Sequence, residues 1–509
     1  MYTESSQTSD ASTPTSLPRS EELALHRSLG AWHLIAIGIG AIIGAGIFVV
    51  TGHAAAAYAG PGVVISFALA GLACLFAGLC YAEYAAMIPV AGSAYTYTYA
   101  TLGRFWAWII AWNLVLEYLI SSAAIAAGWS GYFLALAQQL GMSIPATLAG
   151  APLAVADAGE LVATGAAFNL PAAALVMAIT IILMYGLKLS VTFNSTMVAI
   201  KLGIVLLVII VGLPHVSGAN HTPFVPPNTG VFGEFGWSGV LRATGVIFFA
   251  YLGFDAVSVL AQETRNPQRN VPIGILGALL ICTALYMLMS YVVTGIAPYD
   301  SLHVANPVSE AVRQIGDTAN WLVPIINCGA VVGLASVVLV LLLAQSRIFY
   351  AMSQDGLIPP LFCRVHPRYR TPQRGTLTSG TVAALLAGMV PLNALGELIS
   401  IGTLAAFAFV CAGVLILRIK APHVRRPFRT PIVWLIAPLG VCACALMMGF
   451  LPIGAWVRLA LWTLLGLAIY FSYSVRHARP PGWSIVSTVD AVGGLQPPAF
   501  TSSRPPVAD

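Results

Sequence analysis

Charge is what this sequence has least of. Asp, Glu, Lys and Arg together make up 8% of its 509 residues, against 58% hydrophobic ones. A soluble globular chain carries about 25% charged residues, so a water-exposed domain is excluded, and the mean hydropathy of +0.86 agrees. Cysteine is also scarce: eight residues, mostly inside apolar runs, with no Cys-x-x-Cys. They read as small buried hydrophobes, not as a disulfide or metal framework. The nine histidines are scattered, without His-x-x-x-His spacing. No nucleophile–base pair or ligand cluster stands out, so no enzyme, metal or cofactor is expected. The net charge of +5 is modest, and no nucleic-acid partner is expected. No short apolar core with a cleavage site marks a signal peptide. Residues 1–30, polar and rich in Ser and Thr, read as a disordered cytoplasmic tail, and so does 476–509.

Long apolar runs are what the chain does have. Twelve stretches of about 20 residues are long enough to span a bilayer. They lie near 32–52, 61–87, 103–137, 169–187, 190–213, 238–262, 271–295, 321–348, 376–394, 397–419, 433–453 and 456–475. An all-α polytopic protein is expected, because only helices or closed barrels satisfy the backbone in lipid. The segments 138–168 and 214–237 read as outer loops, and 349–375, basic and Pro-rich, is expected to carry a short helix.

Lys and Arg orient these spans. With the N-terminus inside, 19 of the 23 fall on the inner side: Arg19, Arg27, Arg104, Lys188, Arg265, Arg269, Arg347, Arg364, Arg368, Arg370, Arg374, Arg418, Lys420, Arg425, Arg426, Arg429, Arg476, Arg479 and Arg504. Arg242, Arg313 and Arg458 fall outside, and Lys201 lies within a span. Both termini are therefore expected to be cytoplasmic, in a cell membrane.

The first span contains Gly38-Ile39-Gly40-Ala41-Ile42-Ile43-Gly44-Ala45-Gly46-Ile47-Phe48. Each glycine weakens a helix by roughly 1 kcal/mol relative to alanine. Gly40-xxx-Gly44 reads either as a close-packing motif or as part of a helix break, which hydrocarbon tolerates only around a cavity or ligand. A break offers amides to an anion and carbonyls to a cation, the two charges of a zwitterion. The sixth span holds a second candidate interruption, Gly245-Val246-Ile247-Phe248-Phe249-Ala250-Tyr251-Leu252-Gly253-Phe254-Asp255, where glycine and a carboxylate meet in mid-membrane. Paired interruptions in two halves point to a transporter site between inverted repeats, although the halves show no clear residue-level similarity.

Four motifs carry a family resemblance. Ile42-Ile43-Gly44-Ala45-Gly46-Ile47-Phe48 resembles the first-helix signature of the amino acid–polyamine–organocation transporters. Phe249 to Asp255, followed by Glu263-x-x-Asn266-Pro267 and Pro272-Ile273-Gly274, resembles the cationic amino acid transporter branch. So do Arg347-Ile348-Phe349-Tyr350-Ala351-Met352-Ser353-x-Asp355-Gly356-Leu357-Ile358-Pro359 and Pro89-x-Ala91-Gly92-Ser93-Ala94-Tyr95. The resemblance covers most of 30–420. It implies two inverted five-helix repeats (31–213 and 238–419, joined by the outer loop 214–237), with two further helices in 420–475. It also implies secondary transport by alternating access. Two departures touch substrate identity: Ala45 stands where the family often has Ser or Thr, and Gln262 where the branch often has an acid.

Three charged residues lie deep. Lys201 is 13 residues beyond Lys188 and Glu117 is 13 beyond Arg104, each about 20 Å from the inner end at 1.5 Å per residue. Asp255, 10 residues before Arg265, lies roughly 15 Å in. Lys201 is either a structural lysine tied to backbone carbonyls or a coupling group. The resemblance favours the second, since a fifth-helix lysine of proton-coupled relatives occupies the region where sodium-coupled cousins bind sodium. Glu117 is left with three roles: balancing Lys201, contacting a cationic substrate side chain, or carrying a proton. Asp255 either stabilises the opened helix or contacts substrate. Glu83 reads as a gate or packing acid, Phe249 by its place in the resembling motif as an aromatic closing over substrate, and Trp108 as a weaker pathway candidate.

The resulting expectation is an amino acid carrier, for cationic or small neutral substrates, coupled to protons or working by exchange. The substrate carboxylate is expected on the amides of Gly44, Ala45 and Gly46, and its ammonium on carbonyls near Ile42, Ile43, Phe249, Ala250 and Leu252, with Gly253 opening the second break. Other readings are a polyamine/amino acid antiporter and a non-transporting amino acid sensor.

Overall fold

The computed structural model describes residues 29–87, 95, 98–99, 103–155, 161–186, 191–259, 264–369, 371–424 and 426–478. Both tails expected to be disordered fall almost wholly outside these residues. So do Gln262, Glu263, most of the motif ending at Tyr95, and Arg19, Arg27, Lys188, Arg370, Arg425, Arg479 and Arg504 among the orienting charges.

With no water to satisfy peptide groups, apolar runs in lipid close their hydrogen bonds internally and become helices. The described chain is helical nearly throughout. Its main elements are α1 (Ala31–Ile42), α2 (Val63–Met87), α3 (Arg104–Gln139), α4 (Leu170–Met184), α5 (Val191–Gly212) and α6 (Gly236–Ile247), followed by α7 (Pro267–Ile296), α8 (Leu322–Gln354), α9 (Gln373–Met389), α10 (Leu392–Lys420), α11 (Val433–Phe450) and α12 (Ile453–Ile469). Their ends follow local chemistry. Asn169 caps α4, its side chain accepting from the Ala172 amide at 3.2 Å, while Arg418 and Lys420 stand at the negative end of α10.

Among the described residues, eight helical runs are long and apolar enough to cross a membrane, so the chain is an all-helical, multi-pass membrane protein. Fewer runs than the twelve expected reach that length, for physical reasons. The first and sixth segments are interrupted after Ile42 and Ile247, and α4 and α9 are short, at 15 and 17 residues. Two loops also differ from expectation. Within 138–168, Leu153–Val155 (β1) pairs antiparallel with Leu161–Ala163 (β2). The described part of 355–372 forms turns and no helix; four prolines (Pro359, Pro360, Pro367, Pro372) interrupt it.

Packing sorts the helices. One group joins α1, α2, α6 and α7; another joins α3, α4, α8 and α9; α5 touches α1 and α8, and α10 touches α2 and α3. The two interrupted segments meet where Gly46–Val50 packs on Phe248–Tyr251. That contact holds the site.

Candidate functional site

α1 ends at Ile42, and Ile43 is extended, with ψ 98°. The chain resumes helical winding with a π-turn, Gly46–Val50. Opposite it, α6 tightens into a 3-10 turn, Phe248–Tyr251, and then opens: Leu252 is extended with ψ 148°, and Gly253 takes φ +99°. That left-handed conformation suits glycine, and a Cβ at Gly253 would also lie 2.9 Å from the Ala41 carbonyl oxygen. Gly46 allows the two breaks to touch, since a Cβ there would sit 2.2 Å from the Ala250 Cβ. Gly44 differs. A Cβ there would meet Val337 and Ile125 at 3.6 and 3.9 Å, ordinary contact distances.

Between the breaks lies a narrow, partly open cleft. Seven of the nine predicted substrate-site residues line it: Ile42, Gly44, Ala45, Gly46, Phe249, Ala250 and Leu252. Helix α3 adds Ser121 and Ile125, and α8 adds Val337 and Leu341. Ile43 and Gly253 are not in the lining; they shape the two breaks. Phe249 also walls a second, partly open pocket, bordered by His53, Tyr58 and Glu397. Its ring rests on Gly396, where a Cβ would lie 3.3 Å away. Phe249 therefore partitions the two spaces.

Lys201, 1% exposed, reaches the first break. Its ammonium donates to the Gly40 carbonyl at 2.9 Å and the Ile43 carbonyl at 3.3 Å. These lie at the end of α1, where carbonyls lack intrahelical donors and the dipole is negative. Among the described residues no ion pair joins Lys201 to Glu117. Both carboxylate oxygens of Glu117 are buried without a hydrogen bond among the described residues, and the neighbouring Tyr118 hydroxyl donates to the Asp255 carboxylate. Asp255 is fully buried behind the second break and does not line the cleft.

Sequence reasoning missed Tyr286. Its hydroxyl lies 2.7 Å from the Ile42 carbonyl and 2.9 Å from that of Ala250, so one proton serves both breaks. A lone tyrosine on an apolar helix carries no signal of such a role. Tyr118 and Ser121 were missed for the same reason. Two further expectations are resolved away from the cleft. The indole of Trp108 donates to Gly466 at 3.0 Å and stacks on Trp112, so it packs α3 against α12 instead of lining a pathway. Glu83 accepts both Arg418 hydrogen bonds, at 2.9 and 2.8 Å, and the Thr430 amide at 2.8 Å, with Arg426 at 3.2 Å. Two of the resembling motifs also meet, where the Tyr95 hydroxyl donates to Asp355.

The arrangement suits a small zwitterion. The first amides of a restarted helix have no intrahelical acceptors and can take a carboxylate, while carbonyls freed by the breaks can take an ammonium. Comparison with known proteins agrees in kind. The family model described as amino acid permease matches residues 29–472. The methylthioribose transporter of Bacillus subtilis (strain 168) is 45% identical over 460 residues, 90% of this chain and 96% of that one. Branched-chain amino acid permease BcaP of the same organism is 45% identical over 461 residues, again 90% and 96%. Human cationic amino acid transporter 4 is 36% identical over 403 residues, 78% of this chain and 61% of that one. This chain belongs to the amino acid permease family of the amino acid–polyamine–organocation superfamily, a family of membrane transporters and not of enzymes.

Proposed function

We propose that this protein is a secondary active carrier of L-amino acids, cationic or small neutral, working by alternating access in a cell membrane. The observation that carries the reading is the cleft between two facing helix breaks, with Lys201 seated on the carbonyls of the first. In this reading the amides of Gly44, Ala45 and Gly46 take the substrate carboxylate. The ammonium is drawn to the carbonyls of Phe249 and Leu252, and to the spare lone pairs of those of Ile42, Ile43 and Ala250 that already accept from Tyr286 or Lys201. Phe249 closes over the bound molecule. The names of the relatives support the substrate class: one is a branched-chain amino acid permease and several are cationic amino acid transporters.

Twelve crossings with both termini cytoplasmic, in two inverted repeats of 31–213 and 238–419, complete the reading. The grouping of α1, α2, α6 and α7 against α3, α4, α8 and α9 supports it, because it pairs each helix with the one five places on. Alternating access then consists of one group rocking against the other around a fixed cleft. Lys201 is the coupling group at the first break, and transport is driven by protons or works by exchange. Glu117 and Asp255 are the acids placed to take part.

Purified protein in proteoliposomes tests this. Internal unlabelled amino acid should accelerate entry of labelled amino acid, and an inwardly directed proton gradient should drive net uptake if coupling is to protons. Specific binding without any exchange of label would reject transport in favour of a sensor.

A further inference from the structure

Two histidines meet at the far end of the pocket that Phe249 walls. The rings of His53 and His303 stand 4.6 Å apart between centroids, at 81° to each other. His303 is exposed and His53 half-buried, so water reaches the pair. Four other histidines, His215, His221, His366 and His477, each hydrogen-bond the backbone through a ring nitrogen. His53 and His303 make no hydrogen bond among the described residues, and their nitrogens are free to take another partner.

Their separation fits a shared ion. An imidazole nitrogen binds zinc at about 2.0–2.1 Å, which puts each ring centre about 3.2 Å from the metal. Two such rings set about 90–110° apart around the ion have centres about 4.5–5.2 Å from each other. Edge-to-face packing alone spans about 4.5–7 Å, so the unpartnered nitrogens are what set this pair apart. Glu397 borders the same pocket but is paired with Arg458. Among the described residues no third His, Cys, Asp or Glu completes a cluster. Water would fill the remaining positions, as in an open site and unlike a closed structural one.

The pair also lies where two parts of the fold join. His53 belongs to the continuation of the first segment beyond its break, Thr51–Ala59. His303 follows the turn Tyr299–Leu302 in the connection from α7 to α8. Beside the histidines, a Cβ at Gly52 would lie 2.2 Å from Pro307 of that connection. The same connection reaches the other helix group: a Cβ at Gly131 of α3 would lie 2.6 Å from Ala305, and Ser309 donates to Asn327 of α8 at 2.6 Å. It therefore lies across the seam between the groups. We propose that His53 and His303 form a binding site for a divalent transition-metal ion of the imidazole-binding class, such as zinc, whose occupancy fastens the first segment beneath this connection and holds the outer mouth of the cleft shut. The ion is an exchangeable regulator and not a resident cofactor. Binding stands on the histidine pair alone; its effect on transport, and the outer placement, rest on the carrier reading above.

The experiment uses purified full-length protein, as wild type, His303→Phe and His53→Phe, with zinc chloride as the probe and magnesium chloride as the control. Phenylalanine keeps the ring packing and removes the nitrogens. Zinc should raise the melting temperature of wild type, and magnesium, which prefers oxygen ligands, should not. Both variants should lose the zinc shift. In proteoliposomes, zinc should slow the exchange of labelled for unlabelled amino acid by wild type, while His303→Phe keeps its basal exchange and escapes inhibition. Absence of a zinc shift in wild type, or an equal shift in His303→Phe, overturns the site. A shift without inhibition, in a wild type that exchanges label, overturns the fastening of the mouth. A shift lost in both variants, in a wild type that exchanges nothing, supports the site and rejects the carrier reading.

Discussion

The ammonium of Lys201 lies 2.9 Å from the carbonyl oxygen of Gly40, a residue 161 positions earlier in the chain. The sequence reading left two roles open, a structural lysine tied to backbone carbonyls and a coupling group. The geometry shows the carbonyl bonds, and the carbonyls are those at the break.

Lys201→Met removes that donor. Proton-gradient-driven uptake is expected to be lost, while the Gly40 and Ile43 carbonyls lose a charged partner at a stability cost of about 1–3 kcal/mol. Uptake into proteoliposomes with an imposed pH gradient checks the first effect, and thermal unfolding the second. Gradient-driven uptake at the wild-type rate would remove Lys201 from the coupling role.

Gly44 and Gly46 should separate binding from stability. At Gly46 a Cβ meets Ala250 at 2.2 Å, so Gly46→Ala forces the two breaks apart and should lower thermal stability measurably. At Gly44 the same methyl finds ordinary contacts at 3.6 Å and points to the cleft wall, so Gly44→Ala should keep the fold and weaken amino acid binding. The paired measurement is melting temperature against ligand affinity, and equal behaviour of the two variants would contradict the assignment.

Tyr286→Phe deletes one oxygen between the Ile42 and Ala250 carbonyls. Leaving buried carbonyls without that donor costs about 1–3 kcal/mol. The expected outcome is a lower melting temperature that saturating substrate partly restores, since its ammonium can serve the same oxygens. A substrate-induced shift smaller than in wild type would show that Tyr286 does not share those acceptors with the ligand.

Glu83→Ala strands Arg418 and removes the carboxylate partner of Arg426, which keeps its bonds to backbone carbonyls. Breaking a buried pair by removing one partner costs about 3–5 kcal/mol. Poor recovery of folded protein by size-exclusion chromatography is expected, whereas Arg313→Ala, which touches only the partly exposed Glu310, should be recovered normally.

The membrane class, the interruptions at Gly44–Gly46 and Gly253, and the burial of Lys201, Glu117 and Asp255 were all legible in the sequence. Each rests on composition, on spacing along one helix, or on the cost of glycine inside a helix. The Gly46–Ala250 contact, the Tyr286 bridge and the packing role of Trp108 were not. The reason is rotational. A helix that is apolar on every side has no polar stripe to reveal which face meets which neighbour, so facing is decided only when helices far apart in sequence pack together. The sequence alone determined that two helices break and which charges are buried. Tertiary packing decided that the breaks face one another and that Lys201 reaches the first of them.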